Sequence, residues 1–213
     1  MLSKQKFKVL LHGINIVVLS YILLFITSIL ALLITNNIDF DSIFPETNKY
    51  IFLYTQIAIP MIVSLFLCPI LIEKCVYKNS LKKLGIKLSK DNKEIKIIIY
   101  AVCSIVYISL FFLKDVKDVD VILLSIYVFV QCAGEEILFR SVLQRRFHIV
   151  LKPITSILLS TFIFIFIFHE DTFLNNLLFR TPMGILLSLI YYKTKSIVPT
   201  SITHFVYNMF YTI

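Results

Sequence analysis

Apolar residues fill long stretches of this chain, and the charged residues are concentrated in the shorter segments between them. Each stretch is near or above the ~17–25 residues that cross a bilayer as a helix. A helix satisfies its own backbone in lipid, whereas an open sheet does not. The pattern therefore predicts an all-α fold, a polytopic transmembrane helix bundle of about seven spans, with six to eight allowed. The predicted spans are 9–34, 50–72, 95–113, 119–147, 153–169, 174–192 and 197–213.

Composition supports a membrane setting, because 58% of the residues are hydrophobic. The net charge of +8 would favour nucleic acid as the partner of a soluble chain. Here the lysines lie between apolar stretches, which fits an anionic membrane surface better. We therefore predict membrane lipid, and no nucleic acid, as a partner.

Basic residues also orient the predicted bundle, because cytoplasmic loops carry an excess of lysine and arginine. The segment 73–94 holds seven lysines and is predicted to be a solvated, partly helical surface loop. Two predicted spans separate this segment from the N-terminus, so both lie on the same side of the membrane. We predict a multi-pass protein of the cell membrane with the N-terminus in the cytoplasm and the C-terminus outside.

Glu135, Glu136 and Arg140 lie inside an apolar stretch, and ionisable residues at such positions are costly and by default functional. Glu136 and Arg140 are four residues apart and share a helix face, so we predict an ion pair that supports the site structurally. Glu135 points about 100° away, has no predicted partner on its own helix and suits a general base. The alternative is that both acids only hold helices together.

Three further polar residues lie in later apolar stretches. His204 and Asn208 share one helix face and suit stabilisation of an oxyanion; the alternative is a hydrogen-bonded pair between helices. His169 ends the apolar run 162–168 and, taken alone, is equally well explained as an interfacial histidine. At 1.5 Å rise per residue, His169 is expected up to ~10 Å closer to the outer face than Glu135, unless helices tilt.

These residues resemble the motifs of the CAAX protease and bacteriocin-processing family, also called the Abi family, of intramembrane endopeptidases. The first motif, Glu-Glu-x-x-x-Arg, is matched by Glu135, Glu136 and Arg140, and the third, His-x-x-x-Asn, by His204 and Asn208. The resemblance covers about residues 120–211. It predicts a catalytic helical core at 119–213, preceded by membrane helices and a basic loop at 1–118, within one integral-membrane domain.

The second motif of the family, Phe-x-x-x-His, is matched only in part. His169 is present, but Ile165 stands four residues before it, with Phe164 and Phe166 on either side. This departure concerns the helix packing near His169 more than the chemistry.

The resemblance implies a role for each site residue. Glu135 and His169 would activate a water, His204 and Asn208 would form the oxyanion hole, and the Glu-Arg pair would hold the site in shape. It also implies peptide-bond hydrolysis without a covalent acyl-enzyme.

Zinc is the alternative to this metal-free chemistry, since Glu135, His169 and His204 could act as its ligands. The motifs differ from the His-Glu-x-x-His zinc signature. We therefore predict no cofactor.

Three functions are compatible with the sequence. The first is a glutamate-type membrane peptidase that cuts a membrane-associated or small peptide or protein substrate. The second is a bacteriocin self-immunity protein, and the third is a non-catalytic membrane scaffold that modulates a sensor kinase. The complete first and third motifs favour the peptidase over the scaffold.

Overall fold

The computed structural model describes residues 4–36, 53–86, 96, 121–169 and 172–212. Within these ranges all regular structure is helical and there is no strand, as the apolar pattern predicts. The run 162–168, whose alternation resembles a strand, is helical as far as Ile167. The described helices are α1 (Lys4–Asn36), α2 (53–76), α3 (121–150), α4 (Pro153–Ile167), α5 (Phe173–Thr194) and α6 (Ile197–Thr212).

Three segments of the described chain are long and apolar enough to cross a membrane, namely Lys4–Ile34, Gln56–Val76 and Phe173–Thr194. Large apolar side chains such as Phe25 and Leu174 are exposed on them, which is the arrangement expected of a surface that faces lipid. The total of seven spans stays a prediction, because the predicted span 95–113 lies outside the described residues except for Lys96.

Helix α3 lies at the centre of the bundle, and its residues 132–144 are all buried. Its second half packs against α1, α2 and α4 in one apolar cluster that includes Ile16, Leu65 and Phe164. Its first half packs against α6, where Val128 and Phe205 belong to a second cluster. The segment that carries the paired acids is therefore enclosed by neighbouring helices on every side.

Two helices near the site contain π-helical turns, in which hydrogen bonds join residues five apart instead of four. These turns span Ile137–Gln144 in α3 and Ile163–Ile167 in α4. Each wider turn moves the following side chains out of ordinary α-helical register. Residues five apart, not four, then meet on one face.

The segment predicted as a solvated, partly helical surface loop at 73–94 is mostly exposed as far as residue 86, but it is anchored to α3 at two buried residues, Glu73 in the last turn of α2 and Leu84 in the loop. Glu73 is completely buried. Its carboxylate accepts from Arg145 Nη2 at 3.0 Å, from Arg146 and from Asn79 Nδ2 at 2.6 Å. Leu84 is also fully buried. The residues beyond 86 in this segment lie outside the described part.

Several helix ends meet on one side of the bundle, here named the basic end and defined as residues 77–86, 145–152 and 193–197. Gly13 of α1 lies against Arg146, since a Cβ added there would be 3.0 Å from the arginine Cδ. The backbone N–H of Ile197, at the start of α6, donates to the carbonyl of Gly85 at 3.1 Å. The beginnings of α1 and α6 and the ends of α2, α3 and α5 therefore lie together.

Candidate active site

Glu136 and Arg140 form a buried ion pair one turn apart on α3, as their spacing predicts. The Nε–H of Arg140 donates to Oε2 of Glu136 at 3.2 Å, and neither side chain is exposed to solvent. The guanidinium carbon also lies 4.9 Å from the centre of the Phe164 ring. Arg140 is thus held by a carboxylate and by an aromatic face, both of which favour a buried cation.

The other oxygen of Glu136 contacts His204 on α6. The Nδ1 atom of His204 lies 3.1 Å from Oε1 of Glu136. Because a carboxylate only accepts hydrogen bonds, this contact assigns the proton to Nδ1. The Nε2 atom of His204 then faces Glu135, with 3.8 Å between Nε2 and the carboxylate Oε2.

Glu135 has a partner on its own helix, which corrects the prediction that it has none. Gln131, four residues earlier, donates from Nε2 to Oε1 of Glu135 at 3.1 Å, and side chains four apart share a helix face. The second oxygen, Oε2, is buried and has no hydrogen-bond partner among the described residues. That oxygen lies 3.8 Å from Nε2 of His169 and 3.8 Å from Nε2 of His204.

His169 lies beside Glu135, so the expected offset of up to ~10 Å between their depths is wrong. The helix α4 ends at Ile167, not at His169, which removes about 3 Å of the expected offset, and the direction of the imidazole brings it still closer. The imidazole folds back over the last turn, where its Nδ1 lies 2.7 Å from the carbonyl oxygen of Phe164. Since a carbonyl accepts, Nδ1 carries the proton and Nε2 faces the carboxylate.

Phe164 packs against His169 in the way expected of the phenylalanine of the second motif, although Ile165 stands at that position of the sequence. Its ring contacts His169 edge-on with 4.4 Å between ring centres, and it lies 5.9 Å from the ring of His204. Ile165 instead packs towards α5, where a Cβ added to Gly184 would be 2.8 Å from Ile165 Cδ1. The π-helical turn explains the difference, because it places the residue five before His169 where an α-helix places the fourth.

Asn208 lies one turn after His204 and is half-buried. Its Nδ2 donates to the sulfur of Cys132 at 3.3 Å. Gln131, Cys132 and Phe164 are site residues that the sequence analysis missed. For Gln131 a signal existed, since it precedes Glu135 by four residues.

A cavity of about 640 Å³ opens beside these groups. Its polar lining includes His169, His204 and Asn208, while Glu135 lies behind the two imidazoles and is 5% exposed. The apolar part of its wall comprises Val128, Phe164, Ile165, Phe179, Met183 and Leu187. A largely apolar cavity with a few converging polar groups is the usual form of a ligand site.

The side chains do not form a recognisable metal centre within the described residues, where no group of three or more His, Cys, Asp or Glu is placed to hold an ion. Tetrahedral zinc, with bonds of about 2.0–2.2 Å, sets its ligand atoms about 3.4 Å apart. The Nε2 atoms of His169 and His204 each lie 3.8 Å from the Glu135 oxygen. These two separations exceed that spacing by about 0.4 Å, and zinc stays the alternative to the metal-free chemistry.

The fold and the site together define a helical membrane protein with a buried glutamate–histidine centre. Residues 117–210 match the family model described as type II CAAX prenyl endopeptidase Rce1-like, a family of membrane proteases. This match confirms, over that region, the CAAX protease family resemblance predicted from the motifs. No curated protein and no solved structure matches the chain.

Proposed function

We propose that this protein is an intramembrane peptidase in which Glu135 and His169 activate a water for attack on a peptide bond. One observation carries the proposal. The Oε2 atom of Glu135, which has no hydrogen-bond partner in the described part of the chain, lies 3.8 Å from the Nε2 atoms of both histidines. Two polar atoms at that separation leave room for a water oxygen at about 2.7–3.2 Å from each.

The proton positions suit the activation of this water. With Nδ1 of His169 donating to the Phe164 carbonyl, its neutral imidazole presents an acceptor at Nε2. The water can then donate one hydrogen to His169 and the other to Glu135, which leaves an oxygen lone pair for the carbonyl carbon. Glu135 takes the proton as a C–O bond forms, and returns it to the leaving nitrogen as the C–N bond breaks.

His204 and Asn208 are proposed to stabilise the negative oxygen that develops on the carbonyl. Glu136 fixes the His204 ring, because its carboxylate lies 3.1 Å from Nδ1, and in the proposal Nε2 of this ring donates to the oxyanion. Asn208 lies one turn after His204 on α6 and lines the same cavity, and its amide N–H is the second proposed donor to this oxygen. Arg140 fixes Glu136 and thereby supports the oxyanion site indirectly.

The proposed substrate is a peptide or protein at the membrane that places an apolar segment in the cavity. Val128, Phe179, Met183 and Leu187 would contact that segment, because they form the apolar wall. This chemistry needs no metal.

The decisive experiment compares the membrane peptides of cells that produce the wild type or Glu135→Ala. We expect uncut precursors to accumulate and specific cleavage products to disappear in the variant. Ser201→Ala is the matched control, since Ser201 is also buried and lies on α6 near His204. If Glu135→Ala leaves the peptide profile unchanged, or if Ser201→Ala changes it equally, the proposed peptidase activity is wrong.

A further inference from the structure

A second cavity, of about 320 Å³, lies at the basic end of the bundle, away from the glutamate–histidine site. Its cationic lining comes from three separate segments: the loop after α2, the last turns of α3 and the connection between α5 and α6. Among the described residues that line it there is no carboxylate. The lining residues are Lys82, Lys83, Arg145, His148, Ile149, Tyr191 and Lys195.

The segments around this cavity are held in place by hydrogen bonds. Ser141 on α3 donates to the carbonyl of Leu84 at 2.5 Å, and Gly85 accepts from the N–H of Ile197. Gly85 has a φ of +75°, and a Cβ there would be 2.8 Å from the carbonyl oxygen of Lys195. The loop therefore packs closely against the α5–α6 connection. The lysines that line the cavity thus extend from backbone segments that are fixed relative to one another.

The positive charge of the cavity is only partly balanced. Glu73 lies behind it and contacts Arg145 and Arg146 together, so one carboxylate serves two guanidinium groups. Lys195 directs its ammonium at the ring of Tyr192, 4.2 Å away. A net excess of cations on a concave surface concentrates anions there.

His148 adds a hydrogen-bond donor for which the described ranges contain no acceptor. Gln144 donates from Nε2 to the carbonyl of Ser188 at 2.9 Å, which fixes the orientation of its amide. The same nitrogen lies 3.2 Å from Nε2 of His148, so that ring atom accepts and Nδ1 carries the proton. This Nδ1 has no hydrogen-bond partner among the described residues and is not in contact with solvent, so the ring must rotate slightly for this N–H to donate to a ligand in the cavity.

We propose that this cavity binds a phosphate group. A phosphate offers several oxygens, which can accept from ammonium, guanidinium and imidazole N–H groups at the same time. Ile149 lines the cavity and is 60% exposed, so an apolar surface continues from the cationic one. This combination fits a phospholipid headgroup with its acyl chains beside Ile149, and free phosphate shares the polar part of the chemistry.

The test uses the purified full-length protein in an uncharged detergent. The probes are dioctanoyl phosphatidylglycerol, dioctanoyl phosphatidylcholine and inorganic phosphate, each titrated with binding followed by native mass spectrometry. The test variant combines the substitutions Lys82→Gln, Lys83→Gln and Lys195→Gln. The matched control combines Lys74→Gln, Lys152→Gln and Lys193→Gln. These three lysines are exposed and lie at or near the basic end, but they do not line the cavity.

We expect the first triple variant to lose at least about tenfold in affinity for phosphatidylglycerol, and the control less than about twofold. His148→Phe should also weaken binding, by about tenfold, without a change in charge. Saturation by inorganic phosphate in the same concentration range would assign the site to free phosphate, and tighter binding of phosphatidylglycerol would assign it to a lipid headgroup. Equal losses in the two triple variants, or no binding of any probe by the wild type, would overturn the proposal.

Discussion

The Nδ1 atom of His204 lies 3.1 Å from Oε1 of Glu136, although 68 positions separate these residues in the chain. The acid therefore links two helices: it binds Arg140 on α3 through one oxygen and the α6 histidine through the other. A fixed carboxylate behind an imidazole sets both the tautomer and the orientation of the ring. The first and third motifs thus form one connected unit, and a change in Glu136 must affect both.

The two neighbouring acids are expected to respond differently to substitution. Glu136→Gln leaves Arg140 buried without its counter-charge, and breaking a buried pair in this way costs about 3–5 kcal/mol. Glu135→Gln keeps an oxygen that can accept from Gln131 and should change stability little, while peptide cleavage is lost. Thermal unfolding of the purified variants in detergent, combined with a cleavage assay, tests both expectations. Equal destabilisation by the two substitutions would show that the acids do not have separate roles.

Phe164, not residue 165, is expected to support His169. Phe164→Leu removes an aromatic contact worth about 0.5–1.5 kcal/mol and loosens the imidazole, so it should lower the cleavage rate. Phe162→Leu, on the exposed face of the same helix, is the control and should have no effect.

Ile165→Phe should destabilise the fold by about 1–3 kcal/mol, because its side chain faces Gly184 at close range. Rescue of Phe164→Leu by Ile165→Phe would contradict the assignment.

Topology provides a test that does not depend on the number of spans. The loop 77–86 and the start of α6 lie together, whereas α6 runs from there along α3 to the opposite end of the bundle. A reporter placed in the loop 77–86 should therefore be cytoplasmic and a C-terminal reporter should be outside, as the lysine distribution also predicts. A functional fusion with both reporters on the same side would reject this arrangement.

Local sequence patterns are sufficient to predict the described helices and the Glu136–Arg140 ion pair, because both depend on residues within a few turns of one another. The Gln131–Glu135 hydrogen bond obeys the same spacing rule and could have been predicted from it. The apolar runs located the helices to within a few residues. The largest differences are the start of α1, at residue 4 and not 9, and the end of α2, at residue 76 and not 72, so that Glu73 belongs to a helix.

Other features depend on distant residues or on irregular helix geometry. Glu73 is buried because Arg145 and Arg146, 72 and 73 positions later, neutralise it, and no local pattern encodes that contact. The approach of His169 to Glu135 depends on where α4 ends, and the role of Phe164 depends on a π-helical turn. Neither the end of α4 nor the π-helical turn follows from a fixed rise or spacing per residue.

Metal removal separates the two mechanisms that the sequence allowed. If Glu135 and His169 activate water directly, cleavage should persist in chelators, and elemental analysis should find no stoichiometric zinc. The measurement compares the cleavage rate before and after treatment with a chelator, with added zinc as the reversal step. One zinc per chain, with activity lost on chelation and restored by zinc, would instead make Glu135, His169 and His204 its ligands.

Asn208→Ala is expected to reduce the rate of the chemical step while leaving substrate binding nearly unchanged. An oxyanion donor acts mainly in the transition state, and its removal lowers kcat by about 10²–10³ with little change in KM. Cys132→Ala is the control, because it deletes the sulfur that accepts from Asn208 without deleting a proposed donor. That variant should retain most of its activity, since the amide that is proposed to donate to the substrate oxygen is still present. A raised KM with normal kcat in Asn208→Ala would make the amide a binding group, and a large fall in unfolding temperature would make it a structural one.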